Sequence, residues 1–363
     1  MRVLAYVYPG WHPIPERDAS FYPGFTEWDL VAACTPRFPG HAQPRVPLWG
    51  RYDDRDPDAI GRRVTLCREH GIDGLVYGFF WCRGKRVFQD ALDLGYLGSP
   101  EGRAAPFALM WANRMPRRVL PVRRTDTPVI EADRLVPSDV DDFVALVRYV
   151  AERYFVRENY LRVDGAAYFS IFDSTFLLQE LGAAGARTAI ARARAMLHGA
   201  GLPPMHLAAV EPNDAWIGQV RGLGFDSVTN YVLLPDWKGA FLQDYAERVA
   251  IRAAQWPAMA ARADLPYHPA VSPGWDASPR GADFGPARPD KYPWWPVVTG
   301  EHPDLFRAAV AQACAYARAL PPDQQLVFVS SLNEWSEGHY LEPDTVHGNA
   351  WMAAVEIARR GST

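Results

Sequence analysis

Lysine is nearly missing from this chain: Lys85, Lys238 and Lys291 are the only three among 38 basic residues, a bias of coding rather than of chemistry. The 38 basic side chains face 42 acidic ones, for a formal net charge of −4. There is no basic surplus to neutralise phosphates, so a nucleic-acid partner has no electrostatic support. Cysteine is also scarce. Cys34, Cys67, Cys82 and Cys314 lie far apart and form no C-x-x-C pair, which argues against a disulfide framework and reads as reduced thiols in a cytosolic protein. No stretch approaches the roughly 18 apolar residues of a membrane span. The opening Met1-Arg2-Val3-Leu4-Ala5-Tyr6-Val7-Tyr8-Pro9-Gly10 has too short an apolar run for a signal peptide and no small-residue cleavage site, so a cytoplasmic location is expected. Several motifs are missing too: G-x-S-x-G, the G-x-x-x-x-G-K-[ST] phosphate loop, G-x-G-x-x-G and H-E-x-x-H. The nine histidines include no H-x-H, which leaves a metal site only through a spatial cluster. No cofactor is expected.

What the chain has in excess is tryptophan and proline, 13 and 32 residues in 363. Such aromatics serve either as large core fillers or as platforms for flat ligands. Short apolar runs, each followed by a loop and a helical pattern, recur eight times: Val3–Tyr8, Gly74–Phe80, Phe107–Ala112, Ala167–Phe172, His206–Val210, Ser227–Tyr231, Pro269–Ser272 and Gln325–Ser331. Between or after them lie helical patterns at Pro57–His70, Asp139–Tyr154, Arg187–His198, Ala240–Arg262, Asp304–Leu320 and Asn349–Arg360. Eight such units with near-continuous apolar strands predict an α/β fold, a single (β/α)8 barrel over residues 1–363 with long βα loops. The loops at 9–56, 113–138 and 274–303 are the long ones.

In such a barrel the chemistry gathers where strands run into βα loops. Tyr8, Trp11 and His12 follow the first strand, Trp81 the second, Trp111 and Asn113 the third, and Asp173 the fourth. Glu211 and Asn213 follow the fifth, Asn230 and Tyr231 the sixth, and Trp275 and Asp276 the seventh. The eighth delivers Asn333-Glu334-Trp335-Ser336-Glu337-Gly338. Glu334 and Glu337, three apart, fit one side of a helical turn with Cβ atoms roughly 5–6 Å apart. Two acids so close titrate as a pair, one raised and one ionised, as acid–base work across a glycosidic bond requires. The alternative is a pair of glutamates favoured by a helix start. The tryptophans at the mouth suit sugar stacking, with Asn113, Asn230 and Asp276 as hydroxyl ligands; any single one of them equally suits packing. His12 has a sugar hydroxyl or a loop carbonyl as its partner. Asp173 reads better as a helix cap, and Glu27 better as a carboxylate that ties its loop.

The segments Tyr8-Pro9-Gly10-Trp11-His12-Pro13-Ile14-Pro15-Glu16, Gly24-Phe25-Thr26-Glu27-Trp28, Phe38-Pro39-Gly40-His41-Ala42-Gln43-Pro44, Tyr52-Asp53-Asp54-Arg55-Asp56-Pro57, Trp111-Ala112-Asn113, Val271-Ser272-Pro273-Gly274-Trp275-Asp276 and Asn333-Glu334-Trp335-Ser336-Glu337-Gly338 run in order along the chain. Together they resemble the WbsX-like proteins, relatives of glycoside hydrolase family 99. The resemblance implies a (β/α)8 barrel that acts with retention on α-linked mannose-type oligosaccharides or polysaccharides. It implies that Glu334 draws the proton from the sugar 2-hydroxyl, whose oxygen then attacks C1 to form a 1,2-anhydro sugar. Glu337 would protonate the leaving oxygen and then activate water. Many relatives continue Trp-Ala-Asn with Glu-Asn-Trp; this chain reads Arg114-Met115-Pro116 instead. Other readings are a glycosyltransferase or transglycosylase of polysaccharide biosynthesis, or a non-catalytic glycan-binding barrel. A transferase would need a diphosphate site, for which Arg117-Arg118, Arg123-Arg124 and the D-x-D patterns at Asp54-Arg55-Asp56 and Asp139-Val140-Asp141 are candidates.

Overall fold

The computed structural model describes residues 1–113, 139–283 and 290–361. Eight apolar runs form the staves of a parallel barrel: β1 (Arg2–Val7), β2 (Gly74–Cys82), β3 (Phe107–Trp111), β4 (Ala166–Ile171), β5 (Met205–Val210), β6 (Ser227–Thr229), β7 and β8 (Leu326–Val329). The seventh strand is split by Pro269 into Tyr267–His268 and Ala270–Val271. Its first half pairs with β6 and its second with β8, and β8 pairs with β1, so this one stave closes the ring. A proline has no N–H for a ladder, which is why the change of partner falls there. Nearly every strand residue is buried, as expected for a sheet covered on both faces. The lumen is plugged by rings rather than open: Tyr6 and Tyr168 stand 5.2 and 5.6 Å from Phe328, and Tyr168 stacks on His206 at 5.7 Å. A ligand site is therefore confined to an end of the barrel.

The helices that pack outside begin where local chemistry says they should. Asp56 caps Pro57–Glu69 by accepting from Asp58 N and Ala59 N, and Asp173 caps Ser174–Gly199 by accepting from Phe176 N at 2.8 Å. Three expectations are corrected. The fourth-unit helix starts at Ser174 rather than Arg187 and is kinked at Gly182, whose φ is +65°. The pattern at Ala240–Arg262 is not one helix: Leu242–Asp244 is a strand, Asp244 caps Tyr245–Ala253, and Pro257 restarts the chain as Trp256–Ala263. The helix expected at Asp139–Tyr154 ends as α-helix at Val150 and widens into a π turn, Ala151–Phe155. No described helix is long and apolar enough to cross a membrane.

Candidate active site

Just beyond β8, Asn333–Glu334 pairs antiparallel with His339–Tyr340, and Trp335–Glu337 forms a 3-10 turn between them. Three residues per turn superpose positions i and i+3, so the turn sets Glu334 and Glu337 side by side more tightly than an α-helix would. One oxygen of each carboxylate and a ring nitrogen of His339 lie within 4.8 Å of one another. Gly338 closes the turn with φ at +69°; a Cβ there would meet Asp276 N at 2.8 Å. Only glycine allows both this conformation and the approach of the seventh loop.

A single guanidinium organises the acids. Arg280 donates through Nη2 to Glu334 Oε1 at 2.7 Å, through Nη1 to Glu337 Oε1, and through Nε to Glu27 Oε2 at 3.1 Å. Glu27 lies at the start of the short helix Glu27–Ala33. It also accepts from Arg17 at 2.5 Å, from the Tyr8 hydroxyl and from the Ser336 hydroxyl. Tyr231 OH donates to Glu334 Oε2 at 3.2 Å; Tyr292 OH donates to Glu337 Oε1 at 2.7 Å, and His339 Nε2 lies 3.2 Å from Glu337 Oε2. All three carboxylates are buried.

Three acids share two guanidiniums, and the charge count decides which acid keeps a proton. Burial would raise Glu27, but Arg280 and Arg17 outweigh it and hold the carboxyl below its ordinary range. Burial would likewise raise Glu337, yet Arg280, His339 and Tyr292 bring it down to about 2. Glu334 is the odd acid. Burial pushes it well above the carboxylate range, and the charges of Glu337 and Glu27 add to that against the pull of Arg280. Burial lowers His339, against the pull of Glu337. The surroundings thus bias the proton towards Glu334 and the charge towards Glu337, the reverse of what the family resemblance implies for the start of a reaction. Glu334, Glu337 and His339 have the spacing of a cation site, but Arg280 already supplies positive charge to both acids. In the His12–Asp53–Asp54 cluster, Asp53 is taken by Arg55 at 2.6 Å and Asp54 by His12 at 2.5 Å.

The family described as "Glycosyltransferase WbsX" matches residues 3–355. The chain belongs to this family. It is 31% identical to "Uncharacterized protein WxcX" of Xanthomonas campestris pv. campestris, in each of two strains, over 98% of this chain and 49% of the relative. The chain thus spans about half the length of the curated relatives it matches. Among solved structures it is similar to the GH99 endo-alpha-mannosidase from Bacteroides thetaiotaomicron, with a TM-score of 0.60 at 13% identity over 99% of this chain and 97% of that one. A "glycoside hydrolase-like protein" aligns with a TM-score of 0.60 at 15% identity over 98% and 93%. At these identities the likeness shows the shared (β/α)8 fold.

In this WbsX-family chain most of the sequence-predicted site residues converge on the barrel end that carries Glu334, but many serve as its scaffold. Trp11, Trp111 and Trp335 have no exposed surface. Trp11 donates to Asn333 O at 3.1 Å, Trp111 to Trp81 O at 3.2 Å, and Trp335 to Glu342 Oε2 at 2.6 Å. Trp81, at the end of β2, donates to Asp142. His12 Nδ1 lies 2.5 Å from the Asp54 carboxylate. Asn113 makes two bonds to the backbone of Asp173, and Asn230 Oδ1 accepts from Tyr267 OH at 2.7 Å. Asp276 accepts from Gln43 at 2.6 Å and lies 2.7 Å from His41 Nε2. Burial opposes its ionisation, yet the bonds to His41, Ser278 and Gln43 hold its carboxyl far below the usual range. Trp275 stacks on His339 at 5.5 Å. Tyr8 and Tyr231 reach the acid cluster directly. The sequence reading missed Arg280, Tyr292, His339, Ser336 and Arg17. The one local signal for Arg280 is the turn Ser278–Gly281, anchored where Asp276 Oδ1 accepts from Ser278 N. The arginine pairs proposed for a diphosphate lie outside the described residues. Of the D-x-D patterns, Asp56 and Asp139 are helix caps and Asp141 pairs with Arg192.

Proposed function

We propose that this chain is a glycan-processing enzyme, a retaining glycoside hydrolase or transglycosylase, in which Glu334 and Glu337 form the acid–base pair. The observation that carries the reading is a buried carboxylate pair within 4.8 Å joined by one guanidinium, whose surroundings raise the pKa of Glu334 and lower that of Glu337. Close carboxyl groups, about 5–5.5 Å apart, accompany retention. The family resemblance adds α-linked mannose-type glycans as the substrate class and 2-hydroxyl participation as the route. In that route the oxygen of the 2-hydroxyl bonds to C1 as its proton passes to Glu334, and the C1–leaving oxygen bond breaks as Glu337 gives up its proton. Water then opens the 1,2-anhydro ring: it gives a proton to Glu337 and the ring oxygen recovers one from Glu334.

This route starts with the proton on Glu337, against the direction of the two shifts, so a proton must pass from Glu334 to Glu337 when sugar enters. Arg280 touches both acids, and a shift of its guanidinium towards Glu334 would favour that transfer. Glycosyl transfer from a nucleotide sugar is less well supported, because three of the four D-x-D carboxylates are committed to capping or pairing and Asp54 to His12.

The test is turnover on a panel of α-mannosides and related oligosaccharides, with the product anomer followed by NMR. First-formed product of the substrate's own anomeric configuration supports the reading; first-formed inverted product, or no turnover on any glycan, overturns it. Aryl glycosides with good leaving groups then assign the roles. If Glu337 is the acid, Glu337→Gln recovers more activity on them than Glu334→Gln does; the opposite pattern gives the acid role to Glu334.

A further inference from the structure

The loop after β6 spends several polar groups on one tight turn, Asp236-Trp237-Lys238-Gly239. Gln243, buried, accepts from Asp236 N at 2.8 Å and donates to Asp236 O at 2.8 Å and Ala240 O at 3.0 Å. Gly239 N donates to Asp236 O at 3.1 Å and Lys238 N to Asp236 Oδ1 at 3.1 Å. Trp295 Nε1 donates to Gly239 O at 3.1 Å. All this fixes a turn whose tip is a tryptophan that is 51% exposed. Single exposed apolar residues are ordinary, but a large ring on a turn held by hydrogen bonds on both sides of it is a presented surface.

The position of the ring gives the surface a purpose. Trp237 meets Trp275 at 5.0 Å in a T-shaped contact, Trp275 lies parallel to His339 at 5.5 Å, and His339 reaches Glu337 at 3.2 Å. Half of Trp237 is exposed, and two intervening side chains, Trp275 and His339, link it to Glu337. A flat indole face beside polar neighbours is suited to the C–H face of a pyranose.

We propose that Trp237 is the stacking platform for a sugar unit beyond the reacting one, so that the preferred substrate is an oligosaccharide running over the sixth loop. This rests on the glycan-directed reading of the Glu334–Glu337 site. Losing one such aromatic contact is expected to weaken binding about tenfold.

Calorimetry on the Glu334→Gln protein, with a ladder of α-linked manno-oligosaccharides from one to six units, tests the assignment. Affinity should rise with length; the rise should disappear with Trp237→Ala added and persist with Trp237→Phe, while a cooperative melting transition shows that each variant is folded. Affinity that ignores length, a rise that survives Trp237→Ala, or no binding at any length overturns the platform. Turnover by the wild-type chain is measured separately. Turnover with binding indifferent to Trp237 rejects the platform alone. Trp237-dependent binding without any turnover keeps the platform and rejects the hydrolase reading.

Discussion

The aromatics beneath the Glu334–Glu337 turn and those at its rim are the same residue types put to opposite uses. Beneath the turn, Trp11 and Trp28 pack at 4.0 Å and Trp335 stacks on Tyr340 at 3.7 Å. Each indole N–H there is spent on the site's own frame: Trp11 on Asn333 O, Trp28 on Tyr52 O and Trp335 on Glu342. At the rim, Trp237 and Tyr292 are 51% and 37% exposed. The inner set is spent on the frame around the acids, whereas the outer rings keep exposed surface, Tyr292 while still bonded to Glu337. An excess of tryptophan is thus a statement about scaffold first and about ligand second.

The strongest way to break the inner region is through the charge cluster that ties it to the first loop. Glu27→Gln removes the buried carboxylate charge that faces both Arg17 and Arg280 and should cost about 3–5 kcal/mol, read as a fall in the denaturation midpoint. Trp335→Ala should also cost about 3–5 kcal/mol, from the cavity and the orphaned Glu342 contact. In Glu334→Gln or Glu337→Gln the scaffold should persist while kcat falls by about 10²–10⁴-fold.

Glu334 gives a smaller and signed effect. Its folded-state pKa lies above the unfolded value, so its contribution to stability is present below the unfolded pKa of 4.5 and is lost as pH rises through the folded pKa. Glu337, depressed to about 2, contributes stability above 4.5 that is lost as pH falls towards about 2. Gln imitates the protonated acid, so Glu334→Gln should flatten the fall in melting temperature on the alkaline side of 4.5 without flattening the acid side. At the far end of the scale, Trp237→Ala should cost about 1 kcal/mol, because half of the ring is exposed and its aromatic contact is to Trp275. A large loss there would erase the contrast between rim and scaffold.

The eight strands were legible because a buried parallel strand is a continuous apolar run, and the acid pair because its spacing is local. That Trp11, Trp111 and Trp335 are fully buried was not legible, because a residue next to a strand end has the same sequence signature whether it faces the cleft or the scaffold. Arg280 was invisible for a different reason: its partners Glu27, Glu334 and Glu337 are 253, 54 and 57 residues away. No periodicity spans such distances. The break inside Ala240–Arg262 was hidden because Ala-rich helical propensity masks a short paired strand that only its partner, Val297–Thr299, makes stable.

By itself the sequence determined the order of the staves, the barrel class and the three-residue spacing that sets two carboxylates on one turn, since each follows from nearest-neighbour periodicity. The tertiary structure alone decided which acid is shifted up and which down, and which indoles face outward. Both are sums over groups remote in sequence: a protonation state follows from all the charges packed around a buried carboxyl, and exposure from every loop that covers a ring.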